Sequence, residues 1–350
     1  MPVSVVIPTY KRAYLLKYVF EALTKQTYKD FEVVVIVKPS GDGTEGVVEK
    51  YKKLMKIHLI AQTEGYHTDA LNLGLANSNG KIILLLDDDA IPVPSWVQCH
   101  VEAYKIPNVG GVAGNVISAS ARAAAEKIVP DEGQMSQIIP EYNTFLKSVG
   151  LKIWSRPIEG LEDYFVYVSK AGVVEYNYDV GRLASRKLTK SLLGMGANMS
   201  VLSEALKDFR FPKSWILGLT AEQFIGWHIW RKRYNLIFNP KAEVYHLEHG
   251  QTLSRNIRDS KREHLRWIER DLLFYRLYGI EKNLSKMHRI SWRIFSTADN
   301  IKKICWNRET DRIVRMKASF NSELIGLKWL LSRKLGGYYS PLKDLEKYVE

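Results

Sequence analysis

The sequence predicts an α/β protein built on a mostly parallel sheet with helices on both faces. Two observations predict it. Short runs rich in Val, Ile and Leu are apolar on both faces instead of alternating, and each is followed by a stretch with helical spacing. The run VSVVIP (3–8) reads as the first strand, and AYLLKYVFEALTKQ (13–26) as the helix after it. Next come a strand FEVVVIV (31–37), a helix near 44–55, a strand IHLIA (57–61), a helix near 67–77 and a strand KIILLLD (81–87). Beyond NVGGVAGNVISAS (108–120) the pattern loosens, and residues 121–190 carry no firm assignment. Order returns with LLGMGANMSVLSEAL (192–206), a helix near 221–233 and YNLIFNPKAEVYH (234–246). From about 255 the chain reads as helical, with Ile257, Leu265, Ile268, Leu272 and Tyr275 near a helical spacing.

Composition narrows the class. The chain has 350 residues, 46% hydrophobic and 25% charged, enough for one large globular unit or two ordinary ones. Cys99 and Cys305 stand far apart without metal-type spacing, which argues against a disulfide framework and fits a reducing compartment. The opening MPVSVVIPTYKR lacks the basic-then-apolar order of a signal peptide. No window reaches the roughly 18 apolar residues needed to span a bilayer. The expectation is a cytoplasmic protein, soluble or peripheral at the inner face of the membrane. Net charge is +13, and residues 251–350 hold 22 Lys+Arg against 12 Asp+Glu, a balance of +10. Such a surface favours anionic partners, or is simply a solvated helical face.

Ligands in parallel sheets bind at the carboxyl ends of the strands. The first strand ends in PTYKR, with neither G-x-G-x-x-G nor a G-x-x-x-x-G-K-[ST] loop, which disfavours dehydrogenases and P-loop phosphotransferases. The fourth strand runs into Asp87, Asp88 and Asp89. If the chain stays extended there, Asp87 and Asp89 point the same way and Asp88 the other. Two hard carboxylates on one side suit Mg²⁺ or Mn²⁺, which would also relieve their mutual repulsion. Taken alone, the same residues read as a solvated acidic turn or a cap for a helix starting near Pro94.

The motif is not alone. VSVVIPTYKR, the stretch TEGYHTDALNLGLANSNGKIILLLDDDAIPVPSWV (63–97), GGVAGNV (110–116), GMGANMSVLSEAL (194–206) and NPKAEVYH (239–246) occur in one order. Together they resemble family 2 glycosyltransferases of the GT-A fold over about residues 1–250. The resemblance implies a catalytic domain over 1–250, with a nucleotide-sugar half to about 117 and an acceptor half over 118–250. A basic helical extension over 251–350 would follow. It further implies inverting transfer of a sugar from a nucleotide diphosphate donor, UDP- or GDP-linked, with Mn²⁺ or Mg²⁺ on Asp87 and Asp89. Pro8, Thr9 and Tyr10 would line the nucleotide pocket, with Asp69, Asn72 and Asp88 near the donor. His246 resembles a histidine that faces the metal or diphosphate in some relatives, and reads equally as a strand-end histidine bonded to backbone.

Two departures from the family pattern stand out. The general base is expected in an Glu-Asp pair opening a helix, but here that pair is Ala221-Glu222, so Glu222 becomes the candidate base. Glu222 also reads as a first-turn acid favoured by the helix dipole. The loop after strand two reads VKPSGDGT (37–44), keeping Asp42-Gly43-Thr44 but placing Val37 and Lys38 where acids are expected. Lys38 could meet a phosphate, and Asp42 could substitute for the missing acid. Trp215 lies shortly before the base candidate, where an aromatic could stack on a sugar, although core packing is the commoner fate. The C-terminal helices interleave Trp, Phe and basic residues, which fits packing on the catalytic domain, a homodimer contact or a membrane surface; no nucleic-acid module is expected. The acceptor could be a glycan, a lipid-linked species or a protein. A non-catalytic sugar-nucleotide or glycan-binding module on the same fold is the rival function.

Overall fold

Strand β1 (Val3–Thr9) lies between β2 (Phe31–Val37) and β4 (Ile82–Leu86), with β3 (Ile57–Ala61) outside β2, and all four run parallel. These coordinates are a computed structural model. They describe residues 1–120, 156–211 apart from 173, 185, 194 and 195, 221–248 and 283–307, with scattered positions between 313 and 332. The helices joining the first strands are α1 (Ala13–Thr24), α2 (Thr44–Lys52) and α3 (His67–Ala76), each within a few residues of its expected span.

Successive side chains of a strand face opposite sides, so a strand covered on both faces must be apolar throughout. Val5 and Ile7 of β1 pack with Leu16, Val19 and Phe20 of α1 on one face. Val6 packs with Ala70 and Leu71 of α3 on the other. Burying each such side chain stabilises the fold by about 1.5–3 kcal/mol. Helix α3 comes close because residue 74 is glycine: a Cβ there would sit 2.2 Å from Val6 Cγ1.

The rest of the sheet is mixed. After β4 come β5 (Ala90–Pro92), α4 (Trp96–Ala103), β6 (Val109–Ser120), a small hairpin β7 (Val166–Val168) and β8 (Val174–Tyr176), and α5 (Tyr178–Ala184). Then follow β9 (Thr189–Lys190), β10 (Asn198–Leu202), α6 (Ala221–Arg231), β11 (Asn235–Glu248) and, further on, α7 (Lys286–Asn307). The nine-stranded sheet runs β3-β2-β1-β4-β10-β6-β11-β5, with β9 against β11. Strand β10 is antiparallel to both neighbours, β6 and β11 are parallel, and β5 is antiparallel to β11. The parallel expectation thus describes the first four strands, while the second half inserts antiparallel ones. Residues 121–155, Trp215 and the helix expected from 255 lie outside the described residues.

One buried side chain ties this second half together. Asn198 Nδ2 donates to the Asn115 and Ala242 carbonyls, at 2.8 Å each, and its Oδ1 accepts from Trp96 Nε1 at 2.8 Å. His100 Nε2 completes the set at 3.0 Å, and its Nδ1 meets Ser200 Oγ at 2.8 Å. Burial holds the His100 pKa down to about 4, so the network is neutral. It locks α4, β6, β10 and β11 in one register beneath the site.

Candidate active site

The three aspartates do not continue the strand. β4 ends at Leu86, and the Ala90 N–H returns to the Asp87 carbonyl at 3.2 Å, closing a turn over 87–90. The extended geometry expected for Asp87 and Asp89 is therefore corrected. What brings them together is the turn and the strand that follows. β5 pairs with β11 so that Ala90 stands opposite His246, and the Leu247 N–H donates to the Asp89 carbonyl at 2.9 Å. His246 Nε2 then lies 3.2 Å from Asp89 Oδ1 and 4.0 Å from Asp87 Oδ2. One ligand atom from each of the three residues falls within 4.8 Å of the others. Two carboxylate oxygens and an imidazole nitrogen fit a divalent cation such as Mn²⁺, which accepts both donor types; Mg²⁺ leans more to all-oxygen sets.

Arg12 was not singled out by sequence reasoning. It follows Lys11, whose φ of 57° turns the chain sharply after β1. Arg12 Nη1 lies 2.7 Å from Asp88 Oδ1 and 2.9 Å from Asp89 Oδ2. Asp88 is thus not set apart from Asp89: the two share one guanidinium. The neutralisation is incomplete. Burial pushes the Asp88 carboxyl up to about 6 despite Arg12, and burial with Asp89 and Asp88 beside it pushes Asp87 up to about 8. An added cation would lower both.

Glu222 opens α6, where Gln223 Nε2 donates to its Oε1 at 2.9 Å. Burial pushes its carboxyl up to about 7, only partly offset by hydrogen bonds from its own backbone N–H and from Gln223. Its charge also raises Asp87, so the two carboxylates belong to one electrostatic site. The neighbouring chain at Gly196 comes close, a Cβ there falling 3.4 Å from Glu222 Oε2.

The remaining candidates divide. Pro8, Thr9 and Tyr10 sit at the carboxyl end of β1, with Thr9 buried. Lys38 Nζ donates to the Gly65 carbonyl at 2.9 Å and lies 5.9 Å from the Tyr10 ring centre and 5.7 Å from that of Tyr66. Asp42 is engaged locally: its Oδ2 accepts from the Ala13 N–H at 3.0 Å, and its Oδ1 from Ser40 and Thr44 hydroxyls. Burial works upward on the Asp42 pKa, but these bonds outweigh it and the net shift is downward. Asp69 Oδ2 accepts the Tyr66 N–H at 2.9 Å and so caps α3. Asn72 bonds both backbone groups of Phe211, at 3.0 and 2.9 Å. His67, the first residue of α3, was also missed; burial, with Arg12 nearby, brings its pKa down to about 4.

A cation-ready cluster, a carboxylate poised near neutrality and an edge of aromatic and polar groups thus meet at the carboxyl ends of the strands. Residues 4–146 match the family model described as glycosyl transferase family 2. Over those residues the chain is similar to family 2 glycosyl transferases. Chondroitin synthase of Escherichia coli is 37% identical over 106 residues, which make up 29% of this chain and 16% of the synthase. The chain therefore spans a small part of that relative. Among solved structures, the mannosyltransferase PcManGT from Pyrobaculum calidifontis, in complex with GDP-Man and Mn²⁺, superposes with a TM-score of 0.52 at 16% identity, covering 99% of this chain and 84% of that one. S. aureus TarS 1-349, in complex with UDP-GlcNAc, gives 0.50 at 16% identity, covering 97% and 93%. At such identity the likeness is one of fold, and it agrees with the GT-A architecture expected from the sequence.

Proposed function

We propose that this chain is an inverting glycosyltransferase that moves a sugar from a nucleotide diphosphate donor to an acceptor hydroxyl, with Glu222 as the general base. The observation that carries the reading is the pairing of a carboxylate of pKa about 7 with a three-residue cation cluster at the same sheet edge. Displacement at an anomeric carbon needs a base for the acceptor proton, and a base works best when its pKa lies near the working pH. Asp87, Asp89 and His246 would hold Mn²⁺ or Mg²⁺, which supplies electrophilic stabilisation of the departing diphosphate when bound. Arg12 keeps Asp88 and Asp89 fixed and partly neutralised before the donor arrives.

The donor nucleotide is proposed to sit between Tyr10, Lys38 and Tyr66. Lys38 spends one N–H on Gly65 and keeps others for a base carbonyl or a phosphate. The fold neighbours were solved with GDP-Man and with UDP-GlcNAc, which supports a nucleotide-sugar donor and leaves uracil and guanine as the two bases to compare. Asp42, Asp69 and Asn72 are assigned to shaping the pocket walls, given their hydrogen bonds. The test is titration calorimetry with UDP, GDP and their sugars, with and without Mn²⁺, followed by donor-hydrolysis assays. Metal-dependent binding of one nucleotide family is expected. Failure of every donor to bind in the presence of Mn²⁺ would overturn the reading.

A further inference from the structure

Helix α7 exposes a row of large apolar side chains. Met287, Ile290, Ile294 and Ile301 are 72%, 56%, 67% and 48% exposed. Their spacings of three, four and seven residues put them on one stripe of the helix. Trp292 and Phe295, off that stripe, are partly buried. The helix start is fastened to the globular body: Leu284 packs against the core, and the Ser285 N–H donates to the Lys170 carbonyl at 2.9 Å. Further along, Ile313, Phe320, Leu324 and Leu331 are exposed as well. A row of exposed apolar side chains along one helix face, as on α7, marks a binding surface.

Charge selects the occupant. The α7 sequence holds Lys286, Arg289, Arg293, Lys302 and Lys303 against the single acid Asp299, within a final hundred residues whose balance is +10. A second copy of the chain would bring two such basic segments together, at an electrostatic cost. A nucleic acid would answer the cations and leave the apolar stripe in water. An anionic bilayer answers both, its headgroups taking the cations and its acyl boundary the isoleucines. Among the described residues no helix is long and apolar enough to cross a membrane, so the fitting geometry is a helix lying on one. We propose that α7 docks this chain on an anionic lipid surface, with Met287, Ile290, Ile294 and Ile301 inserted at the headgroup level.

The test is co-sedimentation of the full chain with phosphatidylcholine vesicles, with and without phosphatidylglycerol, at low and high salt. Binding is expected to the phosphatidylglycerol vesicles, to weaken as salt rises, and to be near background with phosphatidylcholine alone. Replacing Ile290→Glu and Ile294→Glu together should lower vesicle partition by at least about tenfold, with Tm and nucleotide affinity unchanged. A second variant, Lys302→Glu with Lys303→Glu, leaves the stripe intact and should weaken anionic-vesicle binding by about tenfold or more. No vesicle binding by the native chain would overturn the proposal. So would native-like binding by both variants, or a dimer by light scattering that the isoleucine substitutions abolish.

Discussion

Replacing Glu222→Gln is expected to slow transfer sharply and to stabilise the protein at the same time. The carboxyl of Glu222 has its pKa raised from 4.5 to about 7 by burial. A carboxylic acid that holds its proton more tightly when folded makes the fold less stable as pH rises, because the folded protein must give up that proton into a buried charge. The penalty is absent below about pH 4.5, grows from there to about pH 7 and is complete above it. At about 1.4 kcal/mol per pH unit, the interval amounts to about 3.5 kcal/mol. Gln keeps the shape and a hydrogen-bonding amide without the charge. In chelator-treated protein at pH 8 the variant should therefore unfold later than the native chain, by several degrees at roughly 2–4 °C per kcal/mol. The difference should shrink as pH falls toward 5. Transfer should drop by about 10²–10⁴-fold, the usual worth of a positioned base, while donor affinity holds. Stability would be read by thermal unfolding across pH and transfer by product formation. An equal Tm for both proteins at pH 8 would refute the buried-charge argument, and native transfer by the variant would remove Glu222 from the mechanism.

Three further outcomes follow from the same geometry. Arg12→Ala leaves two carboxylates, 5% and 3% exposed, without their guanidinium, so urea unfolding at pH 8 should show a loss of about 3 kcal/mol. That loss should narrow as pH falls toward about 6, because without the guanidinium Asp88 takes up its proton at a higher pH than in the native chain. His246→Ala removes the nitrogen from the cation cluster, and the Mn²⁺ concentration needed to raise Tm should increase by about tenfold or more; an unchanged titration would exclude His246 as a ligand. Asn72→Ala breaks both bonds to Phe211 and should cost about 1–3 kcal/mol of stability, with calorimetric nucleotide affinity unchanged. Lost affinity without lost stability would make Asn72 a donor contact instead.

The first four strands are legible in the sequence because burial on both faces forces unbroken Val, Ile and Leu, a signal that polar surface positions do not dilute. The mixed half is harder to read, since β5, β9 and β10 have five residues or fewer and their partners lie far along the chain. At the site, the adjacency of Asp87 and Asp89 was visible, but alternation along an extended strand was the wrong reason for it. A turn does the work, and the position of His246 depends on register between β5 and β11, which no local pattern encodes. Asp42, Asp69 and Asn72 were expected at the donor, and their backbone bonds were not legible because Asp and Asn serve equally as ligands and as caps for turns and helices. Arg12 escaped notice because a cation beside Lys11 after a strand looks like ordinary solvated surface. Only the fold shows that it faces acids 76 and 77 residues away.

The pairing of Ala90 with His246 also has a consequence for the order of assembly. The segment that matches the family ends at residue 146, a hundred positions before the histidine. During synthesis the aspartates therefore emerge first, and His246 joins them only when β11 docks between β6 and β5. With the proposed cation on Asp87, Asp89 and His246, its tight capture would be a late event that reports closure of the second half of the sheet. A fragment ending near 146 would lack it altogether, however well its four parallel strands formed.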